Sequence, residues 1–393
     1  MPESGGPLFR LRYYLIAFSV TRSIINTMYR MVYPFMTVFA RGLGVPVTTL
    51  AGAVALRSAL GLAGPLLGSS ADRRGRKRGM LLGLGIFVFG AGLVAVRPAF
   101  LPFVAALLLT TTGKIMFDPA MQAYLGDRVG YERRGQAIAL TELGWSLAFL
   151  LGVPLMGWMI ARHGWTVPFP WLAAAGAAAA LLLWRILPAD RADQAPGPSL
   201  RSSLARILGH PAALAGLAIG VLASAANETV NIVFGVWLEA SFSLTVAALG
   251  AAAAVIGLAE LSGEGLVVTI TDRLGKRRAV ATGLLVNCLA SFALPTLART
   301  QAGALVALFL FYISFEFTLV SSIPLMTELV PEARATLMSA NITALSLGRV
   351  LGAALGLALY PFGMQANTLA VVVLNAAALT VLLALLRERP GSA

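Results

Sequence analysis

Runs of about 20 consecutive apolar residues, the length a helix needs to cross the hydrocarbon core of a bilayer, recur along almost the whole chain and restrict its fold more than any other feature. Twelve such spans can be marked out, from residues 13–40 to residues 365–386, with short polar segments between them. The composition agrees, since 58% of the residues are hydrophobic and only 12% are charged, a balance too apolar for a water-soluble globule. A helix satisfies its own backbone hydrogen bonds in lipid, an open sheet cannot, and the alternating pattern of a barrel is missing. An all-α integral membrane protein with twelve transmembrane helices is the expected class. The first span is too long for a secretory signal, carries Arg22 and Arg30, and has no small-residue cleavage pattern after it, so it is expected to be retained. The single cysteine, Cys288, excludes an intrachain disulfide.

A net charge of +13 would suggest nucleic acid as the partner of a soluble protein. Here the distribution gives another reason. With the amino terminus inside and an even number of spans, both termini and every second turn face the cytoplasm. Of the 30 lysines and arginines, only Arg41, Arg97, Arg162 and Arg299 fall in turns on the other side, which is the positive-inside asymmetry of membrane proteins. No nucleic-acid binding is expected.

The chain also repeats itself. Ala71-Asp72-Arg73-Arg74-Gly75-Arg76-Lys77-Arg78, between spans two and three, returns as Thr271-Asp272-Arg273-Leu274-Gly275-Lys276-Arg277-Arg278 between spans eight and nine. Gly126-Asp127-Arg128 and Met326-Thr327-Glu328 form a weaker pair at the same offset, each ahead of the fifth span of its half. An even number of spans per half gives both copies one orientation, so the repeat is parallel. The expected organisation is an N-terminal six-helix bundle over residues 1–187, a cytoplasmic linker over 188–210 rich in proline, serine and charge, and a C-terminal six-helix bundle over 211–393.

In these motifs the sequence resembles a transporter of the major facilitator superfamily. The family's loop signature, G-x-x-x-D-R-x-G-R-[RK], is matched at its fixed positions by Gly68, Asp72, Arg73, Gly75, Arg76 and Lys77, while the second copy has Val268 for the first glycine and Lys276 for an arginine. The resemblance implies two pseudo-symmetric six-helix bundles that rock about a central site, in the cell membrane (the bacterial inner or plasma membrane), as a monomer with a small-molecule substrate, protons and membrane lipids as partners and no cofactor. It also implies a cytoplasmic gate. Gly75 allows a tight turn, Asp72 faces the positive end of helix eleven in the opposite half, and Arg76 reaches Asp127. Asp272 and Lys276 form a second latch against the start of helix five.

Ionisable residues inside a membrane are costly and are functional candidates by default. Arg22, Arg30, Arg57, Lys114, Asp118, Glu142, Glu228, Glu260, Glu264, Glu316 and Arg349 lie within spans. In the family fold helices 1, 4, 7 and 10 line the cavity, which selects Arg22, Arg30, Lys114 and Asp118 from the first half and Glu228 and Glu316 from the second. The cavity would then be basic on one wall and acidic on the other. Spacing of four places Arg22, Asn26 and Arg30 on one stripe, Lys114 and Asp118 on another, and Tyr312 and Glu316 on a third. Asn227 and Asn231 flank Glu228. Lys114 and Asp118 can equally be a self-neutralising pair, and Arg22 and Arg30 can pair with acids across the cavity. Glu316, with Tyr312 as its hydrogen-bond partner, is the first choice for a proton carrier, then Glu228, then Asp118. The remaining charges, on helices 2, 5, 8 and 11, are expected to form structural ion pairs between the halves. Trp145 and Trp237 are candidate substrate contacts.

Neither lysine that follows a glycine, Lys114 or Lys276, completes a phosphate-binding loop. Gly144-Trp145-Ser146 lacks the closing glycine of a nucleophile elbow, and zinc-binding H-E-x-x-H does not occur. An enzyme and a metal site are not expected. Exporters of the family carry G-x-x-x-G-P-x-x-G on helix 5. The corresponding run, Ala148 to Gly157, has alanine for the first glycine and Pro154 displaced by one residue, though its small residues still permit a bend or close packing. The reading is proton-coupled export of amphipathic small molecules. Uptake or facilitated movement of a small organic anion or lipid-like solute is the alternative, and a non-transporting sensor a further one.

Overall fold

The structure, a computed structural model, describes residues 7–63, 75–129, 131–188, 207–330 and 334–386, with the side chains of 7–10, 131–136, 138, 139, 272, 334 and 335 left undescribed. Among the described residues there is no strand. In chain order the helices are α1 (Pro7–Arg30), α2 (Met36–Leu43), α3 (Val47–Ala59), α4 (Arg76–Val96), α5 (Phe100–Arg128), α6 (Tyr131–Leu147), α7 (Val153–His163) and α8 (Pro168–Ile186) in the first half. The second half has α9 (Pro211–Asn231), α10 (Phe234–Phe242), α11 (Val246–Leu266), α12 (Lys276–Leu297), α13 (Gln301–Leu329), α14 (Arg334–Leu359) and α15 (Met364–Leu385). Ten membrane-crossing helices are present by length and composition among the described residues, or eleven if α2 and α3 with its extension to Ala63, which meet at 114°, count as one bent span. The expected twelve therefore stand at ten to eleven by that measure, and α1, which holds Arg22 and Arg30, is not among them.

The first span is a helix with a break rather than one continuous rod. Residues 31–35 are turns between α1 and α2, and Pro34 supplies no backbone donor there. Hydrogen bonds still cross the break, from Tyr33 N–H to Arg30 at 3.2 Å and from Phe35 N–H to Met31 at 3.4 Å, so α2 follows closely on α1. The matching span of the second half breaks at 232–233, between α9 and α10, and Trp237 N–H bonds Val233 at 2.8 Å across it. Neighbours match as well. In the first half α4 packs on α5 and α8 and α1 on α6; in the second, α12 packs on α13 and α15 and α9 on α14.

The loop glycines behave as their position in the repeat requires. Gly75 has φ 97° and Gly275 φ 83°, values that strain any side-chain-bearing residue. Each opens a helix whose second residue binds carbonyls at the end of a neighbouring helix: Lys77 Nζ donates to the Trp184 carbonyl at 2.6 Å, and Arg277 Nη2 to the Leu383 carbonyl at 3.0 Å. A cation at a helix carboxyl end complements its dipole.

The halves meet through α3 against α14, α7 against α11, and α2 against α10. Between α6 and α7, Ala148–Gly152 forms a π-helical turn just ahead of Pro154, so the small-residue run of the fifth span provides both a bend and a close contact. A Cβ on Gly157 would lie 3.2 Å from the Gly250 Cα and 2.8 Å from Phe35 Cζ. These contacts run from the middle of the bundle to the end away from the termini. Overfilling such a site costs about 1–3 kcal/mol, so Gly157→Leu is expected to push the halves apart there. Spin-label distances across that end, in a Cys288→Ser background, should lengthen or broaden; an unchanged distribution would mean that this contact does not hold the halves together.

Candidate functional site

Within the first half, charges expected on an open wall are consumed by one another. Arg22 on α1 bonds Asp118 of α5 through Nε at 3.2 Å and Glu142 of α6 through Nη1 at 2.8 Å, with a third bond to the Thr141 carbonyl at 2.9 Å. Lys114 reaches Asp118 at 2.6 Å and the Asn26 Oδ1 at 2.7 Å, and Asn26 donates in turn to the Gly144 carbonyl at 3.2 Å. Two cations and two carboxylates thus close into a neutral network that ties α1, α5 and α6 together. The basic wall read from the sequence is corrected accordingly: Arg22 and Lys114 are neutralised within their own half, and Asp118 is shared between them.

Arg30, the last residue of α1 before the break, crosses to the other half. Its guanidinium makes a two-pronged pair with Glu260 of α11, Nη1–Oε2 at 2.7 Å and Nη2–Oε1 at 2.6 Å, and Nη1 also donates to the Trp145 carbonyl at 3.0 Å. It lies between the rings of Phe149, 3.5 Å from its centroid, and Trp145, at 4.2 Å. Both partners are buried. Bidentate geometry and aromatic stacking are what a guanidinium needs to be held out of water. One turn on from Glu260, Glu264 accepts from Ser146 Oγ at 2.8 Å, again across the halves. Further out, Arg41 pairs with Glu239 at 2.7 Å, and Thr37 donates to the same carboxylate.

In the second half, Glu228 accepts from Tyr33 OH at 2.9 Å and from Asn231 Nδ2 at 3.1 Å. Tyr33 sits in the break of the first span and Asn231 at the last turn of α9, so both broken helices deliver groups to one carboxylate. Tyr312 OH donates to Asn231 Oδ1 at 2.9 Å and not to Glu316, as the shared helix face had suggested. Glu316 is 4% exposed, its Oε2 has no hydrogen-bond partner, and its Cβ packs on Gly263 of α11. That contact puts it in electrostatic reach of Glu260, Glu264 and Arg30. The Asn227 Oδ1 is also buried without a partner.

Trp145 is half-buried and lies near three cations: Arg30, Lys114 with Nζ 5.5 Å from the ring centroid, and Arg349 of α14 at 6.0 Å. Trp237, in contrast, is buried against Phe242 and has a packing role. Among the described residues, Arg57 and Arg349 form none of the ion pairs expected of them. Arg57 stacks on Tyr29 at 3.8 Å and donates to the Tyr29 carbonyl at 2.7 Å, while its Nε and Nη2 remain unpartnered.

Of the gate residues, Arg76 lies 3.5 Å from Asp127. Lys276 binds Glu328 in its own half, one residue beyond the position equivalent to Asp127, and not the start of the fifth span. The two loop copies therefore make the same local contact. Gly68, Asp72 and Arg73 lie outside the described residues, as does the side chain of Asp272. Glu260 forms the ion pair between the halves that was expected of it, with Arg30 as its partner; Arg349 lacks the pair expected of it among the described residues, and Tyr33 is the residue that sequence reasoning passed over.

Comparison with known proteins agrees with this geometry. The inner membrane transport protein YdhP of Escherichia coli (strain K12) is 26% identical over 383 residues, covering 97% of each chain. Multidrug resistance protein 2 of Bacillus subtilis (strain 168) is 22% identical over 300 residues, 74% of each. A bacterial homologue of the human lysosomal transporter Spinster, in an inward-facing and occupied conformation, superposes with a TM-score of 0.76 at 14% identity, over 97% of this chain and 99% of the other. The model of the Major Facilitator Superfamily matches residues 18–226 and again 216–393. With both halves matched and two like bundles joined around buried charges, the chain belongs to the Major Facilitator Superfamily and is a multi-pass membrane transporter.

Proposed function

We propose that the protein exports amphipathic small molecules across the cell membrane in exchange for protons, by alternating access, with both termini in the cytoplasm. The observation that carries this reading is Glu316, a buried carboxyl with an unpartnered oxygen beside the ion pair that joins the halves. A carboxyl there is stable when neutral and costly when charged. Once deprotonated, Glu316 competes with Glu260 for Arg30, which weakens the link between the halves; once protonated, it releases Arg30 to Glu260. Glu228 is the second carrier, held by Tyr33 and Asn231 at the two helix breaks. In one state of the cycle the halves meet at the end away from the termini and the site opens to the cytoplasm. Export is supported by the name of the Bacillus subtilis relative and by the bend in the fifth span. The cytoplasmic loop, through Asp72 and Arg76 with Asp127, holds the inner end closed in the opposite state.

Proteoliposomes with an imposed pH gradient test the coupling. Glu316→Gln should lower pH-driven accumulation at least tenfold while downhill exchange persists, since a neutral amide mimics the protonated acid; full accumulation would remove Glu316 from the mechanism, and flux that follows sodium alone would overturn proton coupling. Removing one partner of a buried ion pair costs about 3–5 kcal/mol, so Glu260→Gln should destabilise the purified protein clearly in a thermal melt. The double variant Arg30→Gln with Glu260→Gln should recover most of that loss without recovering pH-driven transport. Asp72→Asn is expected to slow turnover severalfold with binding unchanged, and equal turnover rates would count against the gate.

A further inference from the structure

Five cations lie among the intramembrane charges, and four of them are held by the protein itself. Arg22 and Lys114 share Asp118, Arg30 has Glu260, and Arg57 lies on Tyr29 with one bond to a carbonyl. Arg349 is different. It makes no hydrogen bond and no ion pair to any described residue; the Trp145 ring lies 6.0 Å from its guanidinium carbon. It is not fully enclosed, and neither is Trp145. Two carboxylates of the second half act on it through space: Glu228, which already accepts from Tyr33 and Asn231, and Glu316. Arg57 acts on the same two tyrosines, Tyr29 and Tyr33, as Arg349 does, is completely buried, and leaves two nitrogens unpartnered.

An unpaired guanidinium at this depth is unfavourable by several kcal/mol, and nothing in the packing of α14 requires it. Glu228 and Glu316 offset part of that cost through space, but neither accepts a hydrogen bond from the guanidinium, whose donors are left for a group from outside the chain. Resting on the transport reading above, we propose that the solute carries a single anionic head, a carboxylate, sulfonate or phosphate monoester, on an aromatic or apolar body. Arg349 takes the head, supplemented by the buried charge of Arg57, and Trp145 takes the body. The guanidinium offers a planar fork that fits two oxygens of such a head. The indole offers a flat apolar surface that a ring or chain covers without desolvating a polar group. Lys114 and Arg30 flank that surface but are already neutralised, so they add field and not a bond. Trp145 belongs to the first half and Arg349 to the second, so a ligand that touches both binds most tightly when the halves are apposed here, and that difference in affinity is what lets it move the equilibrium between states.

Three probes with one apolar body separate this from simple hydrophobic binding: 2-naphthalenesulfonate, the neutral 2-naphthalenemethanol, and the cation 2-naphthylmethylammonium. Calorimetry on the purified full-length protein in detergent should show saturable binding of the sulfonate, at least tenfold weaker binding of the alcohol, and none of the cation. Arg349→Gln should weaken the sulfonate at least tenfold, Arg349→Lys severalfold through loss of the fork, and Trp145→Ala should weaken sulfonate and alcohol alike. Arg349→Gln should also melt at the same temperature as the native protein or higher, because no internal ion pair is lost; a large fall would assign Arg349 a structural partner and sink the proposal. Equal sulfonate affinity in the native protein and in both Arg349 variants, or preference of the native protein for the cation, would overturn it. In proteoliposomes, pH-driven efflux of a cationic dye that ignores Arg349→Gln would remove the anion assignment and leave proton-driven export standing. Arg349-dependent sulfonate binding without pH-driven flux of any probe would do the reverse.

Discussion

Two apolar bundles in lipid have no hydrophobic reason to associate, because the acyl chains are as apolar as the leucines they would replace. What joins the halves of this protein must be close packing and polar contact, and the pair of Arg30 with Glu260 is the polar contact around which the rest is arranged. It lies where the first span breaks, is clamped by Phe149 and Trp145, and has Ser146 with Glu264 one turn away. Gly157 on Gly250 then continues the junction outward as a backbone contact. A junction made of two ion pairs, a few hydrogen bonds and some close-packed small residues can be broken and remade.

The other buried charges divide by half. In the first half Arg22, Lys114, Asp118 and Glu142 neutralise one another and fasten three helices, leaving Arg57 with two unpartnered nitrogens. The second half is acidic and less satisfied, with Glu316 lacking a partner at Oε2 and Asn227 at Oδ1. Such an asymmetry suits a carrier in which one bundle is a rigid reference and the other holds the groups that change protonation. The breaks at 31–35 and 232–233 sit at matching points and supply Arg30, Tyr33 and Asn231, so irregular backbone occurs where it serves the polar centre.

The loops at the terminal end show how a repeat keeps its local physics after its sequence has drifted. Arg76 with Asp127 and Lys276 with Glu328 are the same contact made with different residues. Gly75 and Gly275 keep the positive φ that the turn demands. Lys77 and Arg277 each cap a helix end of their own half.

The amino-acid sequence by itself determined the class, the two-fold repeat and the family, because apolar run length, the charge bias of the turns and the loop glycines are local properties written residue by residue. It also determined which charges are buried, and it identified Lys114 with Asp118 as a pair one turn apart. It could not determine which charge meets which across the bundle. Arg30 stands next to Glu260 and Tyr312 next to Asn231 because helices far apart in the chain pack side by side, which spacing along a single helix does not report. Partner choice in a bilayer depends on interhelical angles and depths of a few ångströms, and those are set by the packing of all the helices together.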